Sequence, residues 1–294
     1  MQIIDTKAQL EAILGKYKKD GKSLGFVPTM GALHAGHISL INSSKKTTDI
    51  TICSIFVNPT QFNDKNDLDL YPRMPEKDAE MLKNTGCDVL FMPLVDEIYI
   101  GENGFEGFEG QKRFKGAEAF HFEGLDKVLE GKHRPGHFNG VAQVVSILLD
   151  IVKPNKAFFG EKDFQQLLII KELRRQLKLN IEIVGCPTLR EKDELAMSSR
   201  NMLLSSEERE AASLLPKLMA EAKTLKEKGK SVNEISGYFK DRLKNNTLYK
   251  LDYFAICDSE NLTELTAFDK NIKSIALVAC FVGKIRLIDN IFLD

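Results

Sequence analysis

Short apolar runs alternate with amphipathic stretches through the first two thirds of the chain. Residues 23–28 (SLGFVP) form one such run, and 34–46 then read as a helix. Residues 49–57 (DITICSIFV) are β-branched and apolar, as expected for a strand covered on both faces of a parallel sheet. Residues 77–85 are amphipathic and helical, with Gly86 where a helix C-cap belongs. Residues 87–92 predict a third strand, stopped by Pro93. A long helix over 139–150, a strand at 157–159, a helix over 164–177 and a strand at 181–185 continue the series. Strands alternating with helices predict an α/β fold with a doubly wound parallel sheet.

The pattern changes near Pro187. Ser205-Ser206-Glu207-Glu208 is a capping-box start, opening a charged helical tract that runs with breaks to about residue 245. Late strands at 249–256 and 275–282, closed by 285–291, predict antiparallel pairing and a small α+β domain. The boundary falls within 185–200, and we divide the chain into domains 1–188 and 189–294. Residues 101–120 carry five glycines among charged and aromatic residues; with no period, they read as a mobile surface loop.

Composition narrows the classes of function. A chain of 294 residues is long enough for two domains, and 43% apolar with 28% charged residues excludes disorder and fibrous repeats. The 41 basic and 42 acidic side chains nearly cancel. No global field therefore steers the protein onto nucleic acid or an anionic membrane, and any phosphate binding must be local. Five scattered cysteines without a CxxC pair argue against a disulfide framework and a zinc ribbon. Their apolar neighbours suggest buried thiols in a reducing compartment. The first residues lack the basic region and apolar stretch of a signal peptide, and no apolar run approaches the ~20 residues of a membrane span. A cytoplasmic location is the expectation.

Five segments carry candidate chemistry. In Pro28-Thr29-Met30-Gly31-Ala32-Leu33-His34-Ala35-Gly36-His37, the two imidazoles share a face in the first turn of a helix. The N–H groups there favour an anion, and Gly36 leaves room for a base or ribose. A metal pair is the weaker reading, because no third ligand stands at suitable spacing. Phe159-Gly160-Glu161-Lys162-Asp163 ends a strand and starts a helix, where open α/β sheets bind ligands; Lys162 suits phosphate and Asp163 a ribose hydroxyl. Alone, it would pass for an ordinary charged helix turn. Met197-Ser198-Ser199-Arg200-Asn201 offers two hydroxyls and a guanidinium for a polyphosphate, or is simply a polar loop. Asn58-Pro59-Thr60-Gln61-Phe62 and Gln166 offer amides suited to a substrate bearing hydroxyls and a carboxylate, although Asn and Pro are common in any turn. Residues 129–140 put Arg134 and His137 in a stiff Gly/Pro bend before a helix, which could equally be structural.

Together these segments resemble the pantothenate synthetase (pantoate–β-alanine ligase) family of the H-x-G-H nucleotidyltransferase superfamily. The matching stretches are PTMGALHAGH at 28–37, SIFVNPTQF at 54–62, YPR at 71–73, LEGKHRPGHFNGVAQVV at 129–145, FFGEKDFQQL at 158–167, REKDELAMSSRN at 190–201 and RLIDN at 286–290. The resemblance implies a ligase in which pantoate attacks the α-phosphorus of ATP and β-alanine then displaces AMP from pantoyl adenylate. It implies catalytic roles for His34, His37 and Lys162, with His37 the usual proton donor. ATP would meet Met30, Gly31, His34, His37, Gly160, Lys162, Asp163, Leu189, Met197, Ser198, Ser199 and Arg200. Pantoate would meet Gln61, Gln166 and Asn58; β-alanine would lie near Gln61; Arg134 would sit on a gating loop. The implied fold is a Rossmann-like domain with a smaller C-terminal lid, in a homodimer. Mg²⁺ is expected with ATP, mainly through phosphates and waters; no protein ligand is assigned, although Asp78 is a candidate.

Two departures stand out: Glu194 where the family commonly has Gly, and the length of 101–120. The competing readings are a nucleotidylyltransferase that stops after joining a nucleotide to a phosphate, and a binding protein that has lost turnover. The amide-rich candidate pocket and the MSSRN segment argue against the first. The intact set His34, His37, Lys162, Ser198 and Arg200 argues against the second.

Overall fold

The computed structural model describes residues 1–62, 65–99, 120–244 and 246–294. Apart from Phe120, the glycine-rich stretch expected to form a loop lies outside the described residues.

The first lobe runs β1 (Gln2–Ile4), α1 (Lys7–Lys19), β2 (Leu24–Thr29), α2 (Ala35–Thr47), β3 (Ile50–Ile55), α3 (Lys65–Leu70), α4 (Pro75–Thr85), β4 (Val89–Phe91), α5 (Val95–Ile98), α6 (Leu129–His133), α7 (His137–Val152), β5 (Lys156–Gly160), α8 (Phe164–Gln176) and β6 (Glu182–Cys186). The six strands form one sheet in the order β1-β4-β3-β2-β5-β6, with every neighbouring pair parallel. Leu24, Phe26, Ile52, Val89, Phe91, Ala157 and Phe159 pack towards α1, α7 and α8. Val27, Cys53, Leu90 and Phe158 pack on the other face against Leu40 and Ile41 of α2 and Leu82 of α4. Coverage of both faces explains why these strands read as unbroken apolar runs. The edge strand β1 escapes the sequence pattern because three residues cannot show a period, and its Ile3 is exposed.

From β2 the chain moves outward through β3 to β4, then returns to the other side of β2 for β5 and β6. The carboxyl ends of the adjacent strands β2 and β5 therefore flank the point where strand order reverses, the ligand crevice of an open α/β sheet.

The second lobe holds α9 (Ser206–Ala212), α10 (Leu214–Glu227), α11 (Val232–Lys244), β7 (Tyr249–Asp258), β8 (Ser274–Val282) and β9 (Ile285–Phe292). Ser205 and Glu208 form the capping box expected at the start of α9. The three strands pair antiparallel in the order β7-β8-β9. One face packs on α10 and α11, with Phe239 stacked on Phe254 at 3.9 Å. From the other face, Ala255, Cys257, Ile275 and Leu277 meet Leu129 and Phe164 of the first lobe. The lobes thus share an apolar contact beside the crevice. All five cysteines are free and buried, and among the described residues no helix is long and apolar enough to cross a membrane.

Candidate active site

The turn after β2 is tightly held. The Asp78 carboxylate, buried on α4, accepts the backbone N–H groups of Ala32 and Leu33, each at 2.8 Å. Burial pushes the Asp78 pKa up, against the downward pull of those two hydrogen bonds. This side chain was a candidate magnesium ligand, although none was assigned from the sequence. Both its oxygens instead hold the turn that delivers His34, and Asp78 does not line the cleft.

His34 is the N-cap of α2 rather than its first-turn residue. Its Nδ1 accepts the Gly36 N–H at 3.1 Å, and His37 Nδ1 accepts the His34 N–H at 3.3 Å. With both Nδ1 atoms acting as acceptors, each neutral ring carries its proton on Nε2. The rings lie 4.1 Å apart between centroids. Gly36 makes this pairing possible, since a Cβ there would stand 2.8 Å from the His34 ring. Burial, reinforced by the Lys162 charge, holds the pKa of His34 down to about 4. Burial, then His34 and Lys162, holds His37 down to about 3. Near neutral pH the pair is therefore a set of uncharged donors.

Beside it, the short 3₁₀ turn Pro59–Gln61 is fixed from below. Asn58 Nδ2 donates to the Gly140 carbonyl at 3.1 Å and to Gln61 Oε1 at 3.3 Å, while Tyr99 donates to Asn58 Oδ1 at 2.7 Å. His137 Nδ1 donates to the Gln61 carbonyl at 2.8 Å. Gly140 permits the close approach of α7: a Cβ there would lie 2.3 Å from the Thr60 carbonyl oxygen. Gln61 Nε2 in turn lies against Met30 Sδ.

These parts surround a cavity of about 220 Å³ lined by Met30, His34, His37, Gln61, Gly160, Lys162, Asp163, Gln166, Leu189, Met197, Ser198, Ser199 and Arg200. Gly31 and Asn58, expected at the site, stand behind its wall. Arg134 lines an adjoining cavity of about 520 Å³ between the lobes, which meets the first at Tyr71, Lys162, Asp163, Gln166, Ser198 and Arg200. Two features had no assigned role in the sequence. Val141, Val144, Val145 and Leu148 form a helical stripe on α7 that makes an apolar wall with Phe56; their i, i+3, i+4, i+7 spacing was the available signal. Tyr71, of the YPR stretch, brings its hydroxyl within 3.4 Å of Ser199 Oγ and its ring 6.0 Å from the Arg200 guanidinium carbon.

The opposite wall comes from the link between the lobes. Arg190 and Ala196 form a β-bridge, the intervening residues make a turn, and Met197 to Arg200 follow. Arg190 makes a two-pronged ion pair with buried Asp289 at 2.8 and 2.9 Å, and Arg209 ties down Glu191 and Asp193 at 2.8 and 2.9 Å. Near the second cavity, Arg286 grips Glu130 through both Nη atoms at 2.7 and 2.8 Å and meets Asp252 at 2.8 Å. Tyr253 donates to Glu130 at 2.9 Å. Among the described residues no group of three or more His, Cys, Asp or Glu side chains could hold a metal ion.

Comparison with known proteins adds chain-wide likeness to this geometry. The family model described as pantoate-beta-alanine ligase matches residues 2–292. A pantothenate synthetase from Flavobacterium psychrophilum is 43% identical over 294 residues, spanning all of both chains. The crystal structure of pantothenate synthetase from Thermus thermophilus superposes with a TM-score of 0.87 at 38% identity, covering 100% of this chain and 99% of that one. A pantoate-beta-alanine ligase from Francisella tularensis, complexed with beta-gamma ATP and beta-alanine, gives a TM-score of 0.79 at 36% identity over 100% and 98% of the two chains.

Proposed function

The chain belongs to the pantoate–β-alanine ligase family, and on that premise we propose how its cleft divides the work of joining (R)-pantoate to β-alanine with cleavage of ATP to AMP and pyrophosphate. In the first step a pantoate carboxylate oxygen attacks the α-phosphorus, and the bond to the bridging oxygen breaks as pyrophosphate leaves. In the second, the unprotonated amine of β-alanine attacks the carbonyl of pantoyl adenylate, the bond from that carbonyl carbon to the phosphate oxygen breaks as AMP departs, and the nitrogen gives up a proton to solvent.

The first step brings an anion onto a polyanion, so donors and positive charge must already be in place. The Nε2–H groups of His34 and His37 and the ammonium of Lys162 serve the phosphates. Ser198, Ser199 and Arg200 close over them from the other lobe. Gly160 and Asp163 receive the ribose, and the backbone at Met30 and Leu189 receives the rest of the nucleotide. No proton has to move in adenylation, because the attacking carboxylate is already ionised and pyrophosphate leaves as an anion. His37 therefore acts in this step as a neutral hydrogen-bond donor rather than as the proton donor that the sequence resemblance suggested.

Gln61 and Gln166 orient pantoate, with Asn58 fixing Gln61 from behind, and the α7 stripe receives the dimethyl carbon. Gln61 also faces the place where β-alanine must arrive. Magnesium accompanies ATP through its phosphates and waters. The buried, fully engaged Asp78 does not fit as a ligand, and no step is routed through it.

Residues 1–188 form the substrate-binding domain and 189–294 the lid. The family resemblance supports a homodimer, and the free, buried cysteines support a cytoplasmic setting.

The observation that carries this reading is the convergence of two neutral imidazole donors, one lysine and two amides at the switch point of the sheet. Pyrophosphate release from Mg-ATP and (R)-pantoate tests it. A single-turnover burst is expected without β-alanine, and steady turnover with it. His37→Ala should reduce the burst rate by about 10²- to 10³-fold, the usual effect of removing one preorganised donor. An unchanged rate would remove His37 from the mechanism.

A further inference from the structure

The terminal stretch Arg286–Asn290 belongs to the second lobe, yet its strand reaches deep into the first. Asn290, buried on β9, donates both hydrogens of its side-chain nitrogen to the first lobe, to the carbonyls of Glu161 at 2.9 Å and Lys162 at 2.8 Å. Those carbonyls belong to the 3₁₀ turn Glu161–Asp163, which leads from β5 into α8 and has no side-chain N-cap of its own. Lys162 projects from that turn into both cavities. The neighbouring residue, Asp289, holds Arg190 at the base of the opposite wall, and the Arg190 Nη2 also donates to the Asn290 carbonyl at 3.3 Å. Two consecutive residues of one strand thus tie together the turn that carries Lys162 and the hairpin that leads to Ser198, Ser199 and Arg200.

We propose that Asn290 is a positioning residue for adenylation: from the second lobe it pins the peptides on both sides of Lys162 and so aims the Lys162 ammonium at the phosphates. The proposal rests on the assignment of Lys162 as the phosphate-holding cation. A primary amide suits the task because it offers two N–H donors in one plane to two carbonyl acceptors. The pin also makes the placement of Lys162 depend on docking of the two lobes, so the cation is aimed only where the lid hairpin is also in place.

The test uses the full-length enzyme and steady-state pyrophosphate release with saturating Mg-ATP and β-alanine and varied (R)-pantoate. Asn290→Leu keeps the approximate volume without donors, and Asn290→Asp keeps the shape but faces two carbonyls with acceptors. Both should lower kcat for adenylation by about 10- to 100-fold, the scale of a small misplacement at a reacting centre. KM for pantoate should stay within about twofold, because Gln61 and Gln166 are untouched. Conversion of supplied pantoyl adenylate by β-alanine should proceed at the wild-type rate.

A double-variant cycle with Lys162→Ala decides the route of the effect. If Asn290 acts through Lys162, Asn290→Leu adds no further loss in the Lys162→Ala background. Multiplying losses, or a wild-type kcat for a folded Asn290→Leu enzyme, would overturn the proposal. Should Leu disrupt folding, folded Asn290→Asp carries the same cycle with the same deciding outcomes. A wild-type rate for Lys162→Ala alone would instead show that the underlying assignment of Lys162 is wrong, and the positioning role would fall with it.

Discussion

The two walls of the cleft are built from different materials. The wall from Met30 to Gln61 is held by hydrogen bonds between backbone and neutral or buried side chains: Asp78 to the turn, the His34 ring to the Gly36 N–H, the His37 ring to the His34 N–H, and Asn58 to the Gly140 carbonyl. The wall from Leu189 to Arg200 hangs on ion pairs, Arg190 with Asp289 and Arg209 with Glu191 and Asp193. Among the described residues, Asn201 Oδ1 and Arg209 Nη1 of this second wall are buried without a hydrogen-bond partner, as is Ser54 Oγ on β3. A wall whose side chains are already bonded to the backbone keeps its geometry before substrate arrives, as preorganised donors must. A wall held by charges rests on a few strong links, and its stability is concentrated in them.

The largest expected effect of a single substitution on stability follows from cutting one such link. Arg190→Ala leaves Asp289 buried and charged with its partner gone, a loss that typically amounts to about 3–5 kcal/mol. Arg190→Lys should recover less than half of that, because an ammonium cannot reproduce the two parallel bonds. Chemical denaturation followed by circular dichroism measures both. A stability for Arg190→Ala within 1 kcal/mol of wild type, where about 3 is expected, would erase the contrast between the walls.

Acid should reach the first wall. His34, His37 and His137 have pKa values held near 4, 3 and 4, each chiefly by burial, whereas in the unfolded chain each titrates near 6.5. Between those values the unfolded chain binds protons that the folded chain refuses. Stability is therefore full above about pH 6.5 and falls as pH drops towards 4, by about 1.4 kcal/mol per pH unit for each such group. Denaturation midpoints at pH 6.5, 5.5 and 4.5 should show the slope, and His37→Gln should reduce it by about one group's share. An equal slope in the variant would mean that the His37 ring is hydrated in the folded state.

What the sequence disclosed follows the same division. The parallel sheet was legible because strands covered on both faces leave continuous apolar runs, and His34, His37 and Lys162 were legible because each sits at a strand-to-helix junction. The tautomers of the imidazoles were not, since they depend on which backbone N–H each ring accepts. Asp78 looked like a metal ligand because a sequence shows a carboxylate but not the two amides folded onto it. Asn290 and Asp289 were visible only as part of a motif. Their partners lie about a hundred or more residues away, beyond the reach of any local pattern.

The smallest expected effect concerns Glu194 in the second wall, where the sequence resemblance led to an expectation of glycine. Glu194 has φ +68, in the left-handed region that a side chain disfavours by roughly 1–2 kcal/mol. It sits in the tight turn where its N–H meets the Glu191 carbonyl at 2.9 Å and its own carbonyl accepts from Arg190 at 3.0 Å, so the backbone cannot relax without loosening that arginine. The side chain itself is exposed. Glu194→Gly relieves the strain but frees the unfolded chain, so the net gain should be about 0.5–1 kcal/mol in denaturant stability. Pyrophosphate release should change by less than about twofold, because every hydrogen bond named here is made by backbone atoms that glycine keeps. A several-fold change in release at unchanged stability would show instead that the Glu194 side chain governs how the second wall closes, and the difference between the walls would then lie in motion as well as in materials.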